Sequence, residues 1–162
     1  MKTALTIGFF DGVHLGHQAL LHKLRKKPHT TILTFSNHPH TIINPPAPKL
    51  LISLEKKIEL LKPYADELLV LEFTPEFAST PFHELLDRFD LSSILLGTGT
   101  AFGKNREGNE VNMRKYAEEK GIEIEYFPKI LFDEEVASSS RIRKALKEQN
   151  LLLVKQLLGR EL

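Results

Sequence analysis

The chain has 162 residues, 41% hydrophobic and 27% charged, a composition that supports a packed core and excludes a disordered chain. Its formal net charge of +1 gives no basic field for nucleic acid, and the absence of cysteine removes disulfide and thiolate chemistry. No apolar run approaches the ~20 residues of a membrane span, and "MKTALTIGFF" alternates like a strand and not like a signal peptide, so a cytoplasmic protein without a membrane partner is expected.

Thr3 to Gly8 reads as a buried first strand, followed by a helix from Gly16 to Lys26 with Ala19, Leu20 and Leu24 on one face. The cations Lys23, Arg25, Lys26 and Lys27 suit the solvated C-terminal end of that helix. "TTILTF", Thr30 to Phe35, is rich in β-branched residues and reads as the second strand. Pro39, Pro45, Pro46 and Pro48 then impose a long loop. "SLEKKIELLK" is an amphipathic helix with Ser53 as N-cap, and "DELLVLEF", Asp66 to Phe73, is a third strand. "TPFHELLDRF" predicts a helix with Thr80 as N-cap and Pro81 at its first position. "SSILLG" ends a fourth strand at Gly97, and glycines recur through Gly108. A helix over Asn112 to Lys120 stops at Gly121, and "IEIEYF" alternates as a fifth strand. After a loop, "SSSRIRKALKEQN" and "LLLVKQLLG" read as two closing helices. There is no internal repeat.

Alternating strands and helices predict βαβ units: an α/β chain with a five-stranded, mainly parallel sheet flanked by helices. Ligands of such sheets bind beyond the carboxyl ends of the strands. The segments "GFFDGVHLGH", "SNHPH" and "GTGTAFGKNREGN" all follow strands and are expected to converge there.

In "GFFDGVHLGH", Gly8 and Gly12 allow close backbone approach to a ligand. The N–H groups around Leu15 to Gln18 open a helix and favour an anion. His14 and His17 lie three residues apart and share one side of the first turn; protonated, they would add positive charge. Such a group suits charge spread over phosphoryl oxygens. A tight turn with incidental histidines remains open from this segment alone, and a zinc pair lacks a third ligand. Asp11 is expected to cap the helix or stabilise the turn. "SSSRIR" offers serine hydroxyls and N–H groups at a helix start, with Arg143 able to fork onto phosphate. The G-x-G of the fourth loop has the wrong spacing for a dinucleotide fingerprint, and "GKN" lacks the hydroxyl residue of a P-loop.

"GFFDGVHLGHQALL" resembles the HxGH motif of nucleotidyltransferases, and in particular the FAD synthetase (FMN adenylyltransferase) module of bacterial bifunctional riboflavin kinase/FAD synthetases. "TFSNHP" resembles that family's TFxPHP, "LISLEKKIELL" its following helix, and "FGKNREGN" its FGK-rich loop. "SSSRIRKAL" resembles its SSTxIR motif and "LLGR" the end of the module, so the resemblance runs through the whole chain in order. It implies a Rossmann-like nucleotidyltransferase fold over residues 1–162, with AMP passing from MgATP to FMN to give FAD and pyrophosphate in FAD biosynthesis. It further implies that His14, His17 and Arg143 stabilise transferring phosphate, and that Gly8, Phe9, Asp11, Gly16, Ser138, Ser139 and Ser140 surround ATP. Phe35, Asn37, His38, Pro39 and Phe102 would line the flavin side.

The match has two departures. Asn37 stands where the family pattern has proline. In "GTGTAFG", Gly99 replaces the Asp or Asn linked in the family to Mg²⁺ and phosphate geometry, Thr100 replaces Phe, and Ala101 replaces Arg. Gly99 has no side-chain ligand to offer, which leaves the metal ligands undefined; Thr98 or Thr100 are the hydroxyls at hand. Two alternatives follow: a nucleotide- or flavin-binding module without catalysis, and a transferase with another phosphate acceptor. The family's riboflavin kinase barrel has no counterpart before Leu162, so that module is expected on a missing segment or a separate protein, and no riboflavin phosphorylation is expected from these residues.

Overall fold

The computed structural model describes residues 1–162 throughout. Its centre is β1 (Thr3–Ile7), where Leu5 and Ile7 leave on one face and Ala4 on the other. Helix α1 (Leu15–Arg25) follows, then β2 (Thr30–Phe35), buried along its whole length as a central parallel strand requires. After α2 (His40–Ile43) and the proline loop come α3 (Leu54–Leu61) and β3 (Glu67–Leu71). The chain continues through α4 (Pro75–Ala78), α5 (Phe82–Leu86) and β4 (Leu91–Gly97). Helix α6 (Glu110–Lys120) leads to β5 (Glu123–Phe127). A hairpin of β6 (Leu131–Phe132) and β7 (Glu135–Val136) precedes α7 (Ser139–Lys147) and α8 (Leu151–Leu158).

The five-stranded sheet has the order β3-β2-β1-β4-β5, and all four pairings are parallel. The chain therefore builds outward from β1 to β3, then crosses back to place β4 on the other side of β1. This reversal opens a crevice at the carboxyl ends of β1 and β4. The strands' period of two divides the core. Leu5, Ile7, Leu33, Phe35, Ile94 and Leu96 meet α4, α5 and α6 on one face. Ala4, Ile32 and Leu95 meet α1 and α3 through Leu20, Leu21, Leu24 and Leu61 on the other. A third cluster joins α7 to α8 through Ile142, Ala145, Val154, Leu157 and Leu158, with Leu15 and Leu51 packed against it.

The local signals largely act as read. Ser53 Oγ accepts from Lys56 N at 3.1 Å, and Gly121 takes the left-handed cap conformation after α6. Helix α6 starts earlier than its apolar pattern suggests, because Asn109 accepts from Asn112 N at 3.0 Å. The expected Thr80 cap is corrected: α5 starts at Phe82, Pro81 occupies the cap position, and the Thr80 hydroxyl donates back to Glu76 O at 2.9 Å. Thr80 thus closes α4, a helix whose single turn gave no periodic signal. The basic cluster is paired and solvated: Lys23 and Lys27 reach Glu125 and Glu123 of β5, and Arg25 reaches Asp66. No helix is long and apolar enough to cross a membrane.

Leu21 is fully buried in the cluster under α1, so Leu21→Ala is expected to lower the unfolding free energy by about 2–5 kcal/mol in denaturant titration. Gly103 has φ +77°, and a Cβ there would lie 2.8 Å from Phe82 N and 2.9 Å from Phe82 Cα. Gly99 has φ +86° but open space around its Cβ position. Gly103→Ala should therefore cost clearly more stability than Gly99→Ala, for which about 1–2 kcal/mol of left-handed backbone strain is expected.

Candidate active site

Beyond the end of β1 the chain makes a tight turn through Phe9 to His14. Phe10, Gly12 and Val13 all have positive φ, at 58°, 82° and 44°. For a β-branched valine this is a strained backbone that the surroundings must hold. They hold it by its carbonyls. Phe9 O accepts from Thr34 Oγ1 and from Lys57 Nζ, each at 3.0 Å. Phe10 O accepts from Val13 N, and Asp11 O accepts from Ser139 Oγ at 2.8 Å. Gly12 O accepts from Arg160, and Val13 O accepts from Arg160 at 3.0 Å and from Gln18 Nε2 at 2.8 Å. With every carbonyl drawn into the fold, the N–H groups of Phe9, Phe10, Asp11 and Gly12 have no acceptor within the protein.

The donors at the helix start are arranged differently from the expectation. His14 is itself the N-cap of α1: its Nδ1 accepts from Gly16 N at 3.0 Å and from His17 N at 3.4 Å. Gln18 N donates to His14 O. Most of the predicted Leu15–Gln18 amides are therefore spent inside the helix, and the unspent ones lie upstream in the turn. The cap fixes the His14 tautomer, because an accepting Nδ1 leaves the proton on Nε2. The two imidazoles stack at 3.7 Å between centroids, so they do share one side of the turn. His17 Nδ1 is buried without a partner.

The charge that protonation would add is absent near neutral pH. Burial, with Arg160 adding to it, draws His14 down to about 4. Burial, then His14 and Lys57, hold His17 well below the usual imidazole range. Both are neutral at pH 7 and act as hydrogen-bonding groups.

Asp11 caps no helix. Its carboxylate accepts from Leu51 N at 3.1 Å on both oxygens and pairs with Arg143, which also donates to Lys49 O at 2.7 Å. This buried carboxylate thus ties the end of the proline loop to α7. Ser138 accepts from Arg141 N at 3.1 Å as the N-cap of α7, and Ser139 supports the turn. Arg141 turns away to Phe132 O and Glu135 O.

These groups border a cavity of about 580 Å³ at the carboxyl ends of the strands, a size that suits a cofactor-scale ligand. Gly8, Phe9, Asp11, Gly16 and both histidines line it, as do Ser138, Ser139 and Arg143 at the start of α7. Phe35, His38, Pro39 and Phe102 line it further along. Two expected residues lie outside this lining. Ser140 is exposed on α7. Asn37 donates to Phe73 O and Thr41 Oγ1, each at 2.9 Å, and accepts from Phe73 N at 2.7 Å, so it joins the loops after β2 and β3. Of the two candidate hydroxyls, Thr98 Oγ1 donates to Phe127 O at 2.8 Å, whereas Thr100 makes no such bond. No group of three or more His, Cys, Asp or Glu side chains is placed to hold a metal ion.

Lys57 and Arg160 escaped the sequence reading as site residues. Lys57 lies on the buried face of α3, where an apolar residue continues the stripe. A lysine at an apolar position of an amphipathic helix was the available signal. Arg160 lies beyond the last helix and closes the LLGR segment, where the resemblance marked the module's end but no site role.

A parallel sheet of this strand order, with an amide-rich, histidine-bearing turn at its switch point, defines a doubly wound α/β protein with its site at the carboxyl ends of the strands. A family model described as FAD synthetase matches residues 1–141, and the chain belongs to that family. It is 34% identical to a bifunctional riboflavin kinase/FMN adenylyltransferase of Haemophilus influenzae, over 97% of this chain and 55% of the relative. It is 32% identical to an FAD synthetase of Listeria monocytogenes, over 96% of this chain and 68% of the relative. The crystal structure of a macrolide-efflux protein from Streptococcus pneumoniae superposes with a TM-score of 0.85 at 25% identity, covering 99% of this chain and 57% of that one. The chain thus spans about half the length of the bifunctional relatives.

A histidine whose pKa is lowered on folding favours the folded state above the unfolded value of ~6.5 and penalises it as pH falls below that value. For His14, drawn to about 4, the penalty reaches about 3 kcal/mol at pH 4. Unfolding titrations should show stability falling from pH 6.5 to 4, and His14→Gln should flatten part of that slope.

Proposed function

We propose that this chain is an FMN adenylyltransferase: it binds MgATP and FMN, and transfers AMP to the FMN phosphate with release of pyrophosphate. The observation that carries the reading is the turn after β1: the amides of Phe9, Phe10 and Asp11 have no acceptor within the protein, and these residues line the 580 Å³ cavity together with His14 and His17. The protein needs no nucleophile of its own, because the FMN phosphate attacks the α-phosphorus and pyrophosphate leaves. The chain's task is positioning and charge stabilisation.

In this reading His14 Nε2 and His17 donate to oxygens of the α-phosphate, and the Phe9–Gly12 amides take the neighbouring phosphate. Neutral donors suit the task, since they hold a fixed geometry across the physiological pH range. Ser138, Ser139 and Arg143 lie along the β- and γ-phosphates, and Arg143 exchanges its Asp11 partner for phosphate as the nucleotide arrives. Phe35, His38, Pro39 and Phe102 contact the flavin. Magnesium enters as part of the nucleotide substrate. Gly99 has no ligand to offer and Thr98 is engaged with Phe127 O, so Thr100 would be the hydroxyl at hand for the ion, which would offset charge on the phosphates.

The bifunctional relatives place a riboflavin kinase in the same polypeptide, and we infer that such a module supplies FMN to this one, on a further segment or a separate protein. Absence of cysteine suits a reducing cytoplasm.

Incubation with FMN, ATP and Mg²⁺ should yield FAD and pyrophosphate in equal amounts by chromatography and a coupled assay. Binding of FMN or ATP without either product would assign a binding module instead. His17→Ala should keep the fold by circular dichroism and lower kcat by about 10²–10³-fold, the effect of losing one preorganised donor to developing charge.

A further inference from the structure

Lys57 is 3% exposed and forms no ion pair, yet it lies at the carboxyl ends of the two innermost strands of the βαβ unit. Its ammonium donates to Phe35 O at 2.7 Å and to Phe9 O at 3.0 Å, and stands 3.6 Å from the centre of the Phe9 ring. Two carbonyls and one π-face thus use its three N–H donors. The Phe9 ring also meets the His38 imidazole in an edge-to-face contact, 4.8 Å between centroids. Phe9, Phe35 and His38 all line the cavity. Burial draws the Lys57 ammonium down to about 8, with Asp11 opposing it and no carboxylate in direct contact; a methionine would pack the same space without that desolvation cost. A packing role alone therefore does not account for a lysine here.

We propose that Lys57 is a positioning residue for the acceptor side of the site: it fixes the Phe9 ring, and through it His38, as the wall that receives the flavin. This rests on the FMN adenylyltransferase reading given above.

The two sides of the cavity have separate anchors, which makes the claim specific. The phosphate side depends on Ser139, Gln18, Arg160 and the Asp11–Arg143 pair, none of which touches Lys57. Phe9 O keeps its bond from Thr34 Oγ1 when Lys57 is removed, so the turn retains an anchor at that point. What is lost is the cation beneath the Phe9 ring and the bridge from β1 to the Phe35 carbonyl. The Lys57 charge reaches both sides, since it also acts on His17, so the selectivity rests on the contacts and not on the charge. Lys57 helps to hold the His38 imidazole neutral, alongside burial, His40 and Arg143, with Asp11 opposing them.

The test compares wild type, Lys57→Met, Phe9→Leu and the double variant. It measures KM for FMN and for ATP, kcat, and the Kd of FMN from quenching of flavin fluorescence. Lys57→Met should raise the FMN KM and Kd about tenfold, the loss of a charge-assisted contact, while the ATP KM stays within about twofold. Phe9→Leu should act in the same direction, and the double variant should be little worse than either single one, because both remove one wall. Parallel losses for both substrates would make Lys57 a general strut and overturn the proposal, as would an unchanged FMN Kd. If Lys57→Met does not fold, Phe9→Leu decides alone: a tenfold weaker FMN Kd supports the wall and an unchanged one removes it. Wild type that binds FMN but forms no FAD refutes the transferase reading and leaves the wall judged by Kd; wild type that binds no FMN overturns both.

Discussion

The turn between β1 and α1 depends on one constraint: its carbonyls must all point into the protein. Peptide units have two ends, so drawing the oxygens inward presents the N–H groups outward. Phe9, Asp11, Gly12 and Val13 are held by Thr34, Lys57, Ser139, Arg160 and Gln18, which come from β2, α3, α7, α1 and the segment after α8. Much of the fold converges on this short segment. The convergence also accounts for the left-handed backbone at Phe10 and Val13, a strain of roughly 1–3 kcal/mol per residue that persists only where neighbours over-determine it.

The electrostatics follow from the same convergence. Burying the turn desolvates both histidines and leaves them neutral, while the cations that secure it, Lys57 and Arg160, add to that effect. Positive charge at the cavity wall comes from Arg143, with Arg160 and Lys57, whose ammonium burial draws down to about 8, behind the turn. Asp11 balances part of this charge. It is also the junction of three elements, since one carboxylate holds the turn, the end of the proline loop and α7 together. Arg143 adds a second tie to the same loop through Lys49 O, so the loop end is held from both partners of the pair.

The sheet order sets where these groups meet. Because β4 returns beside β1 on the opposite side from β2, the loops after β1, β2 and β4 open at one rim. The histidine-bearing turn thereby meets both the His38 loop and the Thr98–Phe102 loop across a common cavity. In the last of these, Gly99 adopts a positive φ with nothing near its Cβ position, so the backbone course does not depend on a side chain there.

The sequence by itself determined what local chemistry governs. Short apolar and β-branched runs, alternating in the first and fifth, marked the five main strands, serine and glycine marked several helix ends, and the resemblance located the turn, the SSSRIR helix start and the family. It missed α2, α4 and the β6–β7 hairpin, which are too short for any periodicity to register. Only the tertiary structure decided how the turn's groups are used. His14 became a helix cap, Asn37 a brace between loops, and Asp11 a junction, because their partners stand where the fold brings them. Arg160 is 148 residues from the Gly12 carbonyl it binds, and Lys57 is 48 from that of Phe9. Protonation follows the same rule, since a histidine's charge is set by the solvent and cations that packing leaves around it.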